Sequence, residues 1–148
     1  MKIRAATSDD IPAVMALEKH AATASHWPEE RYQELFSRRE PVRVALVIEE
    51  ASAIQGFLVA RAVAGEWEIE NIAVAGPARR RGLGTRLLGE FLNTVSAQGD
   101  QRVFLEVRES NLAARRLYEK WAFVENGRRR GYYVAPDEDA ITYRLEMT

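Results

Sequence analysis

Residues 74–85 read Val74-Ala75-Gly76-Pro77-Ala78-Arg79-Arg80-Arg81-Gly82-Leu83-Gly84-Thr85 and join a strand-like run to an amphipathic helix pattern. Gly82 and Gly84 have no Cβ, so a phosphate group can approach the backbone closely there. The first N–H groups of the following helix lack partners within the helix and point toward such a phosphate. The stretch therefore predicts a pyrophosphate-binding turn, and an ordinary basic loop that caps a helix is the equal alternative for so short a pattern.

The sequence on both sides of this turn predicts regular structure. Downstream, apolar residues recur at helical spacing until Gly99 and predict a helix with one apolar face, formed by Leu83, Leu87, Leu88, Phe91, Leu92 and Val95. Upstream, three runs rich in β-branched and aromatic residues predict an antiparallel meander over residues 42–49, 54–63 and 66–74.

The remaining patterns extend this alternation of strands and helices. Near the N-terminus they predict a strand at 3–5, a helix after a capping box at 7–10, and a short helix with Pro28 as its first residue. After the glycine turn and its helix they predict a strand at 102–107 and a helix capped by Ser110 or Asn111. They also predict a closing hairpin of 123–127 with 141–147, joined by a basic, tyrosine-rich connection. The sequence therefore predicts one α/β domain over residues 1–148, with a mixed, mostly antiparallel central sheet flanked by about four helices.

Composition limits the class of protein and its partners. The chain has 148 residues, 47% of them hydrophobic and 29% charged, which is typical of a globular domain. Its net charge is −1, so we expect no direct nucleic-acid partner and no membrane partner. With no cysteine and two histidines, His20 and His26, we expect no metal site and a cytoplasmic location. The run Arg128-Arg129-Arg130 is interpreted as a solvated face or as a surface for an acidic or ribosomal partner.

The residues around the glycine turn distinguish between phosphate ligands. A Walker loop requires Lys followed by Ser or Thr after its last glycine, whereas Leu83 follows Gly82 here. A dinucleotide fingerprint has three glycines in a strand–helix–strand unit, whereas this turn follows an antiparallel meander. Binding of ATP or NAD is therefore disfavoured, and the pyrophosphate of coenzyme A remains.

With this turn and order of elements, the chain resembles the GCN5-related N-acetyltransferase (GNAT) family. That family's pyrophosphate motif has Arg or Gln, two residues, Gly, one residue, and then Gly or Ala, and residues 79–84 match it completely. The runs Leu105-Glu106-Val107 and Asn111 to Lys120 lie where the family has its second cofactor motif. One departure is Trp121-Ala122-Phe123, because the family commonly has Gly before this Phe, so we expect a slightly different helix end.

The resemblance implies a function and a set of site residues. It implies acetyl-CoA as cosubstrate, with the pantetheine arm along Ile72, Ala73 and Val74. It implies further coenzyme contacts at Arg80, Arg81, Gly82, Leu83, Gly84, Thr85 and Asn111. It also implies Glu106 as the proton acceptor and Tyr118 as the proton donor to the leaving sulfur. Within the family, residues 71–74 and 105–108 and the tail are similar to enzymes that acetylate the N-terminal alanine of a ribosomal protein.

The residues themselves permit simpler interpretations of the same positions. Glu106 lies between Leu105 and Val107, where burial would raise its pKa, but it can also point to solvent or pair with Arg102 or Arg108. Tyr118 can be an ordinary half-buried helix residue. Trp27, Tyr132 and Tyr133 can form a slot for an acceptor or pack as core and hairpin residues.

The expected acceptor is a protein N-terminal α-amine. Such an amine, with a pKa near 8, is about 10% neutral at pH 7, whereas fewer than about one lysine in a thousand is neutral. We therefore expect the acetyl group to be transferred directly to a peptide N-terminus, for example the N-terminal alanine of a ribosomal protein. We expect the enzyme to be a monomer or weak dimer. The alternatives are acetylation of a lysine or a small-molecule amine, and a non-catalytic acetyl-CoA-binding sensor domain.

Overall fold

The computed structural model describes residues 1–21, 26–76, 82–99, 101–134 and 136–147. Within these residues, seven strands form one sheet in the order β1-β2-β3-β4-β5-β7-β6, and four α-helices flank it. The strands are β1 (Lys2–Ala5), β2 (Arg43–Glu50), β3 (Ala53–Val63), β4 (Glu66–Val74), β5 (Gln101–Arg108), β6 (Val124–Tyr133) and β7 (Glu138–Met147). The helices are α1 (Ile11–Lys19), α2 (Glu29–Ser37), α3 (Leu83–Ser96) and α4 (Leu112–Lys120). Neighbouring strands are antiparallel except β4 and β5, which are parallel.

The predicted fold class and order of elements are confirmed, with two differences at element ends. The basic, tyrosine-rich stretch that we expected to be a connection belongs to β6, which pairs with β7 as far as Tyr133. This strand is at the sheet edge, where exposed charges discourage pairing with other chains. Pro28 precedes α2 as its extended N-cap residue, with φ −68° and ψ 157°, so the helix begins one residue later than predicted.

The sheet buries a core on each face. Helix α3 covers one face through the apolar side chains predicted from its spacing, with Leu87, Leu88 and Phe91 each 0% exposed. Helices α1 and α2 cover the other face, where Tyr32 packs among Val47, Phe57 and neighbouring residues. The described helices therefore cover the sheet from both sides, and the candidate functional site lies at its central strands.

A bulge in β4 changes which side chains face each core. Val59 pairs with Asn71, but Ala60 pairs with Ile69, so Glu70 is an extra residue in β4. Before the bulge, Ile69 faces the α3 core, and after it Ala73 faces the α1–α2 core. The extra residue thus shifts the two-residue alternation by one position and directs Asn71 to the α1–α2 side.

Strands β4 and β5 separate soon after they meet. Their ladder contains only the pairs Trp67 with Val103 and Glu68 with Phe104 in the described residues. Beyond these pairs, β4 continues to Val74 and β5 to Arg108 without pairing to each other. The two strands therefore form the sides of a wedge-shaped opening in the middle of the sheet.

Helix α4 ends in a motif that places an alanine in an unfavourable conformation. The N–H of Phe123 donates to the carbonyl of Tyr118, and that of Ala122 donates to Glu119, each at 3.0 Å. These two bonds define a Schellman motif. The apolar contact that usually accompanies this motif is formed by the rings of Phe123 and Tyr118, whose centroids are 5.8 Å apart. Ala122 has φ +68°, a left-handed conformation that favours glycine. The expected change in the helix end is therefore absent: the alanine adopts the conformation suited to glycine.

Replacing Ala122 with glycine is expected to stabilise the protein. Glycine removes the strain of the left-handed backbone but increases the conformational entropy of the unfolded chain. Because the first effect is larger, we expect the free energy of unfolding to rise by about 0.5–1 kcal/mol. In thermal unfolding, the Tm should increase by roughly 2–4 °C at most. Ala13→Gly, in the exposed part of α1, is the matched control and should lower stability by about 1 kcal/mol. Equal destabilisation by both substitutions would contradict the strain at Ala122.

Candidate functional site

The opening between β4 and β5 is a cleft of about 870 Å³. It brings together most described residues that the sequence singles out: Trp27, Ile72, Ala73, Val74, Gly82, Gly84, Thr85, Glu106, Asn111, Tyr118, Tyr132 and Tyr133. Strands β4 and β5 form its sides, α4 and the start of α3 line it, and the chain before α2 and the end of β6 contribute the remaining wall. The cleft is therefore one continuous candidate site.

The glycine turn lies at one part of this cleft. Gly82 is the N-cap residue of α3 with φ +75°, and a Cβ built on it would meet no atom within 4 Å. At Gly84, a Cβ would lie 3.3 Å from Leu117 Cδ2, so this glycine lets α3 and α4 approach closely. Arg80 and Arg81, predicted as coenzyme contacts, lie outside the described residues. The start of α3 thus directs its first N–H groups, which have no partner within the helix, toward the cleft.

Two other predicted coenzyme contacts have structural roles as well. The side chain of Leu83 is 0% exposed in the α3 core, so only its backbone can face a ligand. Asn111 caps α4, because its Oδ1 accepts a hydrogen bond of 3.1 Å from the N–H of Ala114. Asn111 also lines the cleft, so cap and ligand contact are compatible at this residue.

Glu106 is a largely buried carboxylate with one described basic partner. Its side chain is 17% exposed, and Oε1 lies 3.3 Å from Nη1 of Arg129 on β6. Its Oε2 is buried without a hydrogen-bond partner among the described residues. Burial raises the pKa of Glu106, the Arg129 guanidinium opposes that rise, and the carboxylate of Glu68 adds to it. Neither Arg102 nor Arg108, the sequence candidates, is the described partner.

Tyr118 projects from α4 into the same cleft. Its ring packs between those of Phe123 and Tyr143, with centroid separations of 5.8 and 6.1 Å. The residue is 4% exposed, and burial raises the pKa of its phenol well above the ordinary value. The hydroxyl is therefore protonated at neutral pH and is available as a proton donor.

The three predicted acceptor residues meet at this cleft but differ in environment. Trp27 is 6% exposed and packs in the α1–α2 core, with the Arg31 guanidinium 3.8 Å from its ring centroid. Tyr132 is 50% exposed and stands edge-on to Tyr133, with ring centroids 5.1 Å apart. Burial and the nearby carboxylate of Glu106 raise the pKa of Tyr133 to about 12. Core packing thus accounts for the burial of Trp27, while the two tyrosines lie at the cleft surface.

Two glutamates of β4 at the cleft have arginine partners that the sequence interpretation missed. Glu70, 3% exposed in the bulge, lies 3.0 Å from Arg43 and within 4 Å of Arg31 and Arg61. Glu68 lies 2.8 Å from Arg61. The negative charges of Glu68 and Glu70 are therefore compensated by arginines from α2, β2 and β3, which no local pattern could pair with them.

A network of buried hydrogen bonds extends from α1 to the cleft. Glu18 accepts hydrogen bonds from the N–H of Trp27, at 3.1 Å, and from the hydroxyl of Tyr32. Nδ2 of Asn71 in turn donates to the Tyr32 hydroxyl at 3.4 Å. Burial raises the pKa of Glu18. These bonds fix the chain before α2 to the bulged part of β4.

The described residues contain neither a metal-binding cluster nor a helix that could span a membrane. No cluster of three or more His, Cys, Asp or Glu side chains suited to a metal ion was found in them. None of the described helices has the length and hydropathy needed to cross a bilayer.

Comparison with known proteins identifies the family. The model of the acetyltransferase (GNAT) family matches residues 11–123. This chain belongs to the GNAT family. It is therefore an N-acetyltransferase of the family that uses acetyl-CoA, and the resemblance noted in its sequence is confirmed.

Individual GNAT relatives match almost the whole chain. The [ribosomal protein bS18]-alanine N-acetyltransferase of Salmonella typhimurium is 33% identical over 144 residues, which cover 96% of this chain and 95% of that protein. The crystal structure of the ribosomal-protein-S18-alanine N-acetyltransferase from Escherichia coli superposes with a TM-score of 0.88 at 31% identity, covering 99% of this chain and 94% of that one. Ard1 from Thermoplasma volcanium gives 0.88 at 27% identity, with coverage of 99% and 97%.

Proposed function

We propose that this GNAT enzyme transfers the acetyl group of acetyl-CoA directly to the α-amine of a protein N-terminus, with the N-terminal alanine of a ribosomal protein as its acceptor. The observation that carries the proposal is the position of Glu106 and Tyr118 in one cleft, beside the start of α3. The near full-length similarity to two alanine N-acetyltransferases supports the choice of acceptor. We further propose a cytoplasmic enzyme that acts as a monomer or weak dimer.

The cleft fits acetyl-CoA through three features. The wedge between Ile72–Val74 and β5 offers backbone on both sides of an extended arm. The space beside Gly82 and the N–H groups from Gly82 to Thr85 suit a pyrophosphate. Asn111 lines the cleft at the start of α4. When bound there, acetyl-CoA supplies the acetyl thioester.

Two side chains supply the proton transfers in this proposal. Glu106, as carboxylate, accepts the proton that the acceptor amine loses when its nitrogen forms the new bond to the acetyl carbon. Its raised pKa makes it a better base than an exposed glutamate. Tyr118, as neutral phenol, donates its proton to the sulfur when the carbon–sulfur bond breaks. Tyr132, Tyr133 and Trp27 are proposed to line the place of the acceptor's first residues.

The domain boundaries form part of the proposal. The family model matches residues 11–123, but β1 precedes this range and β6 and β7 follow it. All three strands belong to the same sheet, and β7 pairs with β5 along its length. We therefore propose that the acetyltransferase domain extends over residues 1–148.

A thiol-release assay tests the acceptor class. Purified protein with acetyl-CoA should release coenzyme A with peptides that begin with alanine, and much less with larger first residues. N-terminally blocked peptides that keep an internal lysine should be inactive, because only the α-amine is substantially neutral near pH 7. Turnover of the blocked peptides or of small amines would assign a different acceptor. Acetyl-CoA binding without thiol release on any acceptor would indicate a sensor domain.

Replacing Gly82 with alanine is expected to weaken acetyl-CoA binding by about tenfold. The added Cβ would enter the space proposed for the pyrophosphate, and the left-handed backbone would be strained by about 1–2 kcal/mol. Gly99→Ala is the matched control, since Gly99 also has positive φ and open surroundings but lies after α3, away from the cleft. Calorimetric titration should show weaker binding for Gly82→Ala alone. Equal affinities of the two variants would remove Gly82 from the proposed site.

A further inference from the structure

Arg108 is the last residue of β5 and lies two positions after Glu106, so both side chains are on the same face of the sheet. Its guanidinium carbon lies 4.3 Å from the ring centroid of Tyr133. Arg108 and Tyr133 both line the cleft. The strand that carries the proposed base thus also carries the cation that covers one face of a neighbouring tyrosine.

The guanidinium of Arg108 is held by other contacts as well. Its Nη1 donates to the carbonyl of Pro136 at 3.2 Å and lies 3.4 Å from Oε1 of Glu138. The other oxygen of Glu138 accepts a 2.5 Å hydrogen bond from the N–H of Ser110. The Ser110 bond and the Arg108 pair hold the pKa of Glu138 below its usual range, so this carboxylate is charged at neutral pH. Arg108 is thereby fixed between the end of β5 and the start of β7.

Separate contacts hold the β6–β7 hairpin in place. Arg128 pairs with Glu109 at 2.6 Å and with Asp139 at 2.8 Å. Asp139 also accepts a hydrogen bond of 2.8 Å from the N–H of Gly131. Because these contacts do not involve Arg108, its loss should leave the hairpin folded and should release the ring of Tyr133 together with the contacts to Pro136 and Glu138.

We propose that Arg108 is a positioning residue that fixes the ring of Tyr133 beside Glu106 and thereby sets the affinity for the acceptor. The inference rests on the proposed function, since it assigns the acceptor's place to the side of the cleft where Tyr133 lies. A planar guanidinium can stack flat on the ring while its N–H groups bond to two oxygens, whereas the ammonium of lysine has no planar face to stack. In this role the side chain acts through Tyr133.

Steady-state kinetics on Arg108→Gln provides the test. We expect the KM for the peptide acceptor to rise about tenfold, the size of a partly desolvated cation–π contact. The kcat and the KM for acetyl-CoA should change less than about twofold, and Arg108→Lys should restore only part of the loss. Arg102→Gln is the matched control, because Arg102 is also on β5 but pairs with Glu66 and Glu146, and neither Arg102 nor these partners line the cleft.

A double-mutant cycle shows whether Arg108 acts through Tyr133. In a Tyr133→Leu background, Arg108→Gln should change the acceptor KM less than about twofold, since the ring is already absent. An equal change in both backgrounds would overturn the proposal, as would a loss confined to kcat. Thermal unfolding of each variant identifies any that fail to fold, and Arg108→Lys then carries the same cycle.

Hydrogen exchange separates this proposal from the proposed function. Residues 131–134 should exchange faster in Arg108→Gln than in the wild type, and residues 124–128 should not. This result does not require turnover, so it holds even if no acceptor is acetylated and the proposed function fails. Unchanged exchange at 131–134 would overturn the positioning role, and faster exchange with an unchanged acceptor KM would overturn its effect on acceptor binding.

Discussion

Replacing Glu106 with glutamine is expected to lower kcat by about 10²–10³-fold at pH 7, the usual contribution of a general base. Glutamine keeps the shape of the side chain but cannot accept the amine proton. Folding should not suffer, because burial disfavours the charged carboxylate and a neutral isostere removes that cost. Single-turnover acetylation of an alanine peptide measures the chemical step directly, and calorimetry should show unchanged acetyl-CoA binding.

The pH dependence provides the second part of this test. Glu106 works as a base only when deprotonated, and its folded pKa is raised above the ordinary glutamate value. The kcat/KM of the wild type should therefore fall as the pH is lowered through this raised pKa, in addition to the fall caused by protonation of the acceptor amine below about pH 8, and only the amine's contribution should remain in Glu106→Gln. Glu68→Gln is the matched control in the same cleft and should cost less than about tenfold. Similar losses in both variants would indicate a general effect of charge.

Replacing Tyr118 with phenylalanine is expected to lower kcat by about 10²-fold. The ring should stay packed between Phe123 and Tyr143, so that only the proton donor is lost. Burial raises the pKa of the Tyr118 phenol, so the wild type should lose no activity through its ionisation between pH 7 and 9. Single-turnover kinetics with acetyl-CoA bound in advance should show the slow step, and the affinity for acetyl-CoA should be nearly unchanged.

Tyr143 offers a control for this experiment. Its hydroxyl lies 3.0 Å from Nε of Arg115 and donates to Glu119 at 2.8 Å. Tyr143→Phe should therefore lower the free energy of unfolding by about 1 kcal/mol and leave kcat close to the wild-type value. If Tyr118→Phe behaved like Tyr143→Phe, with less stability and full activity, the proton for the sulfur would have to come from another group.

The local patterns of the sequence predicted the elements and their order well. Helix α3 has a hydrophobic stripe at helical spacing, and β5 alternates between Val103, Leu105 and Val107 on one side and polar or partly exposed residues on the other. Such periodicity records which side of an element is buried, so one sequence is sufficient to find it. The same applies to the Asn111 cap, whose partner is three residues away.

Pairings that depend on sheet order could not be predicted in this way. Arg129 reaches Glu106 although β7 lies between their strands, and nothing in the local sequence places β6 outside β7. The Glu70 bulge was also missed, because an inserted residue is visible only against the partner strand β3. Sequence interpretation thus found residues of the candidate site and missed the charges that neutralise or tune them.

The short ladder between β4 and β5 has a mechanical consequence for the whole molecule. Among the described residues, the four strands β1–β4 and the three strands β5–β7 pair only at Trp67 with Val103 and at Glu68 with Phe104, so few backbone hydrogen bonds connect the two parts of the sheet. A molecule bound between β4 and β5 would therefore join the two parts mechanically at the end of the cleft where their strands are not paired.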